Sequence, residues 1–292
     1  LIFAISLGVS YLLTPLMRKI ALKAGILSRP GERRVHTRAI PYLGGLAIYF
    51  AFVASVLVAF YVNRQIRIDF SQKLAGLLLG GTLIVILGLW DDIKNIRPIT
   101  KFIGQIAVAL LLFGFGFRIE LLTNPFGGGE IQIPLFLSAI ITVAWIVGLV
   151  NAMNLIDGLD GLAAGIAVIV SSSLLFIGLF LHNYITAFLL AALAGSTLGF
   201  LRYNFYPARI FMGDTGSMFL GLILASAALI KSQYKAATAV VLLVPITVLA
   251  IPIYDTFNAA IRRILKRGSI FRADKKHLHH RLLSTGLTQK QI

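Results

Sequence analysis

The chain has 292 residues, 58% of them hydrophobic and 13% charged, with a mean hydropathy of +0.88, whereas a soluble domain carries about 25% charged residues. These proportions exclude a soluble domain and define a polytopic membrane protein. The absence of cysteine excludes disulfides and thiolate metal sites. The net charge of +16 is accounted for by Lys and Arg gathered in cytoplasmic loops and calls for no nucleic-acid partner.

A helix needs about 20 mostly apolar residues to cross the hydrocarbon core. By that rule, spans fall near 1–17, 43–62, 74–90, 102–117, 135–153, 162–181, 184–201, 217–231 and 238–261. This predicts an all-α bundle of about nine transmembrane helices, treated as one domain over residues 1–292. The chain opens on Leu1 and stops at Ile292 as a new segment begins, so further terminal spans are expected. Between the fourth and fifth spans, Asn124-Pro125-Phe126-Gly127-Gly128-Gly129 is flanked by short alternating runs, which predicts a small β-hairpin outside the membrane.

If the spans alternate sides, stretches 18–42, 91–101, 154–161, 202–216 and 262–292 share one face, and they hold 21 of the 27 Lys and Arg residues. The excess of positive charge assigns that face to the cytoplasm. The same face receives every conspicuous polar cluster, which argues for a single site.

The densest cluster is Asn151-Ala-Met-Asn154-Leu-Ile-Asp157-Gly158-Leu-Asp160-Gly161, between two apolar segments. Each Asp is followed by Gly, which bends the chain and keeps bulk away from what the carboxylates face. Asp91 and Asp92 close the third span, where adjacent carboxylates repel each other and face the negative end of their own helix dipole. Lys94, Arg97 and Lys101 follow within one loop, suited to polyphosphate. Phe211-Met-Gly213-Asp214-Thr-Gly216-Ser217 precedes the eighth span. Its plain reading is a helix entry capped by Asp or Ser; its functional reading is a ring for a base beside a carboxylate for a metal. His36 and Arg38 lead into Pro41-Tyr-Leu-Gly44-Gly45, and His277, His279, His280 and Arg281 form a cationic tail better suited to an anion than to zinc. Pro245, Pro252 and Asp255 interrupt the ninth span.

These parts make a site for a divalent cation, phosphates and a base, with walls against lipid. Mg²⁺ is the economical cation, with Mn²⁺ as its substitute, because it takes one or two carboxylates plus substrate phosphates. The reaction class is phosphoryl transfer from a nucleotide-linked donor to a lipid acceptor.

From Pro41 to His280 these motifs, in this order, resemble the polyprenyl-phosphate N-acetylhexosamine-1-phosphate transferases. The His-Leu-His-His-Arg tail resembles the branch that uses UDP-GlcNAc and undecaprenyl phosphate to initiate wall teichoic acid, O-antigen or related polymers. The alternative branch uses UDP-MurNAc-pentapeptide. A cation transporter is the competing class. The resemblance implies that Asp214 and Asn154 hold the metal, Phe211 packs on uracil, and Asp157 and Asp160 line the nucleotide pocket. It also implies substrate contacts from His36, Arg38, Lys94, Lys101, His277, His280 and Arg281, with Asp91, Asp92 and His279 as catalytic candidates. Whether the acid deprotonates the lipid phosphate or forms a phospho-enzyme stays open, with direct attack preferred. Family analogy alone suggests a homodimer. The expected location is the plasma membrane, with the site on its cytoplasmic face.

Overall fold

A computed structural model describes residues 1–28, 39–123 and 130–230. Eight helices account for most of it: α1 (Ile2–Ala24), α2 (Gly44–Val62), α3 (Arg64–Lys94), α4 (Pro98–Gly114), α5 (Leu135–Ile156), α6 (Leu162–Phe180), α7 (Tyr184–Asn204) and α8 (Gly213–Ala228). Each corresponds to an expected span, and the protein is an all-α polytopic membrane protein. The expected ninth span, with Asp255, lies outside the described residues.

Six of these helices are long and apolar enough to cross a membrane, whereas α4 has 17 residues and α8 has 16. The short length of α8 goes with its place in the bundle. Its residues from Thr215 to Ala228 are buried, and it packs on α2, α3, α5 and α7. A helix enclosed by protein need not match the hydrocarbon thickness. By contrast, α3 is longer than the expected span, because residues 64–73 continue the helix instead of forming a loop.

Local chemistry sets several ends. Gly25 adopts φ 68° and sends its N–H back to Ala21 O and Leu22 O, the left-handed closure typical of a helix C-terminus. Pro98 opens α4, where its missing N–H costs nothing. Between α4 and α5 the expected hairpin is present, with β3 (Leu121–Thr123) antiparallel to β4 (Glu130–Gln132) and Leu122 opposite Ile131; its tip, 124–129, lies outside the described residues. A second, unexpected pair joins β1 (Leu27–Ser28) to β2 (Ile40–Pro41), with Leu27 opposite Pro41.

Lipid offers no hydrophobic drive for helix association, so close approach through small residues takes its place. Ser6, Ser10 and Thr14 are buried along α1, spaced four apart. Ser6 and Ser10 face Gly195 and Gly199 of α7, where a Cβ on Gly199 would lie 2.5 Å from Leu7 O and 3.0 Å from Ser10 Cβ. The same device brings α2 and α3 onto α8. A Cβ on Gly45 would lie 2.5 Å from Gly216 Cα, and one on Gly88 would lie 2.6 Å from Thr215 Cα.

Gly88→Ala therefore forces α3 away from α8 and is expected to destabilise the protein by about 1–3 kcal/mol, the usual cost of overpacking. Gly148→Ala adds a Cβ with nothing within 4 Å and serves as the control. Thermal unfolding in detergent checks the pair, and equal midpoints would contradict the packing described.

Candidate functional site

The C-terminal ends of α3, α5 and α7 and the N-terminal ends of α2, α4, α6 and α8 meet at one end of the bundle. Their meeting is fixed first by backbone. Phe211 N donates to Pro41 O at 2.9 Å, Gly44 N donates to Phe211 O at 2.9 Å, and Gly45 N donates to Met212 O at 3.0 Å. The segment Pro41 to Gly45 is thus hydrogen-bonded along the segment leading into α8. This docking holds Leu43 at φ 85°, a left-handed conformation that a branched side chain adopts only under constraint.

The N-terminus of α8 is buried with no side chain of its own as cap. Asp92 supplies the cap from α3: its Oδ1 accepts from Asp214 N at 2.8 Å, and its Oδ2 accepts from Thr215 N at 3.1 Å and from Thr215 Oγ1 at 2.6 Å. The plain reading of Asp214 or Ser217 as the cap is therefore corrected. The carboxylate that is unfavourable at the end of its own helix sits on the positive end of another.

Asp91 has a different setting. Its Oδ1 accepts from Ile96 N at 2.9 Å, and its Oδ2 pairs with Lys101 Nζ at 3.1 Å. Lys101 also bonds Asn154 Oδ1 at 3.2 Å and Asp214 Oδ2. Oxygens from α3, α5 and α8 thus converge on one ammonium group borne by α4. Asn154 is oriented by donating Nδ2 to Asp214 Oδ1 and to Ser217 Oγ, both at 2.9 Å, and Ser217 Oγ in turn donates to Gly213 O at 3.1 Å.

Asp160 and Asp157 separate in role. Asp160 Oδ2 accepts from Ala208 N at 2.9 Å, tying the α5–α6 turn to the segment that leads into α8. Asp157 terminates α5; burial, with the charges of Asp92 and Asp160 nearby, pushes its carboxyl up to about 7. Phe211 is half-buried, and its ring centroid lies 6.3 Å from that of Tyr42 at a tilt of 46°. Lys94 is exposed in the last turn of α3 and is not drawn into the Lys101 cluster. His36, Arg38, His277, His279, His280 and Arg281 lie outside the described residues.

Thr215 and Tyr42 join the site without having been singled out from the sequence, and Ser217, read there only as a helix cap, joins it as a partner of Asn154. Ser217 lies three residues after Asp214, the spacing that puts two helical side chains on one face, so that signal was available. The partnership of Thr215 with Asp92 spans 123 positions and left no local trace.

The donor set around Lys101 is oxygen only, of the kind a hard divalent cation takes. Among the described residues no three His, Cys, Asp or Glu side chains form a closed metal cage. One or two carboxylates and an amide oxygen, completed by substrate phosphates, is the arrangement that suits Mg²⁺, and these residues fit it.

Fold and site together define an integral membrane protein with an acidic and amide centre, threaded by one lysine, at one end of a helical bundle. The Glycosyl transferase family 4 profile matches residues 74–232. The chain is 39% identical to a probable undecaprenyl-phosphate N-acetylglucosaminyl 1-phosphate transferase of Bacillus subtilis, covering 99% of this chain and 78% of that protein. It is 36% identical to a decaprenyl-phosphate N-acetylglucosaminephosphotransferase of Mycobacterium tuberculosis, covering 97% of this chain and 75% of the relative. A phospho-N-acetylmuramoyl-pentapeptide-transferase of Thermoanaerobacter is 34% identical over 78% of this chain and 72% of its own length. The chain belongs to glycosyl transferase family 4.

The raised Asp157 carboxyl makes stability depend on pH. Between its ordinary value near 3.8 and about 7, the unfolded state loses this proton while the folded state keeps it, so stability falls as pH rises through that window and levels off above it. Asp157→Asn is expected to flatten this slope, read from unfolding midpoints between about pH 4.5 and 8.5. An unchanged slope would remove Asp157 as its source.

Proposed function

We propose that this protein transfers N-acetylglucosamine 1-phosphate from UDP-GlcNAc to undecaprenyl phosphate, releasing UMP, at the cytoplasmic face of the plasma membrane. The convergence of Asp91, Asn154 and Asp214 on Lys101 carries this reading, because it places charge of both signs at the mouth of an apolar bundle. The relatives named for GlcNAc phosphate transfer match nearly the whole chain, and the pentapeptide-transferase relative matches less of it.

A lipid phosphate oxygen attacks the phosphorus that carries the sugar; a new P–O bond forms, and the bridging oxygen leaves with UMP. The nucleophile is already anionic, so positioning and charge neutralisation matter more than activation. Asp214 and Asn154 would hold Mg²⁺, or Mn²⁺ in its place, which supplies Lewis-acid neutralisation of the donor diphosphate. Lys101 donates to phosphate oxygens from within the same cluster. Asp91, which caps no neighbouring helix, orients the lipid phosphate, while Asp92 keeps the α8 terminus in place beneath it. Phe211, with Tyr42 behind it, packs on the uracil ring. Asp157 and Asp160 shape the nucleotide pocket, Asp160 by holding the segment before α8. A cation-transport function would call for acids near the bilayer midplane, and those of this site gather at one end.

Asp214→Asn is expected to lower turnover by about 10²–10³-fold, the scale of losing one preorganised electrostatic contact at a reacting centre, without unfolding the protein. UMP release with undecaprenyl phosphate and Mg²⁺ is measured for UDP-GlcNAc and for UDP-MurNAc-pentapeptide separately. Release from UDP-GlcNAc alone is the expected result. Release from the pentapeptide donor alone would assign the other branch.

A further inference from the structure

One helical turn below the Lys101 cluster, α4, α5 and α8 meet in a second polar layer that the proposed chemistry does not use. Gln105 follows Lys101 by four residues on α4, Asn151 precedes Asn154 by three on α5, and Met218 follows Asp214 by four on α8. These spacings keep each pair on one helix face, so every one of the three helices contributes one residue to each layer. Asn151 Nδ2 donates to Gln105 Oε1 at 2.7 Å and to Val147 O at 2.8 Å, and Gln105 Nε2 donates to Met218 Sδ at 3.3 Å.

The side chain of Gln105 is out of place by hydropathy. It is 2% exposed, in a helix whose other buried residues are Val108, Ala109 and Leu112. A leucine or methionine would fill the same space with no polar group to satisfy. Stability alone therefore gives little reason for an amide, because exchanging a buried hydrogen-bonded pair for apolar packing is often nearly neutral. What the amide adds is direction. α4 packs on α3 and α5, and its described hydrogen bonds to α8 come from Lys101 and Gln105. Of these two, only Gln105 sits below the reach of substrate.

We propose that Gln105 is a positioning residue. By bridging Asn151 and Met218 it fixes the rotation and height of α4 against α5 and α8, and so keeps Lys101 in register with Asn154 and Asp214. The proposal rests on the reading of that upper cluster as the reaction centre. A misplacement of about 1 Å in such a centre costs on the order of a hundredfold in rate.

The test is Gln105→Met in the purified full chain, which keeps the side-chain length and removes both amide bonds, while Asn151 Nδ2 retains Val147 O. The expected result is an unfolding midpoint within a few degrees of wild type, a kcat lowered by about 10–100-fold, and a donor KM within about threefold. Mg²⁺ binding, followed by calorimetry without substrates, weakens several-fold. A purely structural role predicts the opposite pattern, a lowered midpoint with kcat per folded molecule and Mg²⁺ binding unchanged, and that pattern would overturn the proposal. Should Gln105→Met fail to fold, Met218→Leu removes only the sulfur acceptor and is expected to lower kcat several-fold; wild-type kcat and Mg²⁺ binding there would equally overturn it. Asp214→Asn is assayed alongside. Retained turnover in that variant would remove the reaction centre and the positioning proposal with it, whereas a silent Asp214→Asn beside a wild-type Gln105→Met would overturn the positioning role alone.

Discussion

The first turn of α8 is buried inside the bundle, and a helix beginning there presents backbone N–H groups that water cannot reach. An unsatisfied buried donor costs about 1–3 kcal/mol, more where hydrocarbon replaces water. Asp92 meets this constraint by accepting from two backbone N–H groups, those of Asp214 and Thr215, with the Thr215 hydroxyl as a third donor, and much of the site follows from it. To deliver its carboxylate, α3 must run past Thr215 closely enough that Gly88 can carry no side chain. The approach on the other side is fixed by Gly44 and Gly45, whose N–H groups occupy the carbonyls of Phe211 and Met212. The side chain of Asp214 is then free of capping duty and turns toward Lys101 and Asn154.

This division resolves what two adjacent carboxylates are doing at one helix end. Asp91 and Asp92 would repel each other strongly if they shared a setting. Instead one is neutralised by the N-terminus of α8 and the other by Lys101. Repulsion between them is lowered by giving each its own positive partner, and the two charges can remain side by side in the chain. The price is rigidity, since neither acid can move without uncovering a buried donor or cation.

The helices were legible because crossing a bilayer demands a long apolar run, and that demand is written locally in the chain. All eight described helices lie where hydropathy puts them. The errors come where protein replaces lipid as the surroundings. The helix α8 begins at Gly213, ahead of its apolar run, because Asp92 satisfies its first turn. Residues 64–73 read as a polar connection, yet they continue α3. Strands β1 and β2 are two residues each, too short for any periodicity to register. At the site, residue types marked Asn154, Lys101 and Asp214 as candidates, but their convergence depends on contacts across 53 and 113 positions. The split between Asp91 and Asp92 is likewise set by the orientation of α3 against α8, which no local pattern encodes.

Polarity falls in steps with depth along α4, α5 and α8. The outermost layer holds the charges of Lys101 and Asp214, the next holds the neutral amides of Gln105 and Asn151, and deeper still Trp145 Nε1 donates to Ala225 O at 3.1 Å. This order follows from the cost of desolvation. Charges are tolerable only near water or in close pairs, amides can be buried if every bond is made, and an indole needs one acceptor. Directional bonds are also the means by which apolar helices, which otherwise slide and rotate against one another at little cost, acquire a fixed register. A charged centre at the rim of a lipid-facing bundle therefore needs neutral polar layers beneath it, because apolar packing alone would leave Lys101 and Asp214 close in space but free to rotate out of alignment.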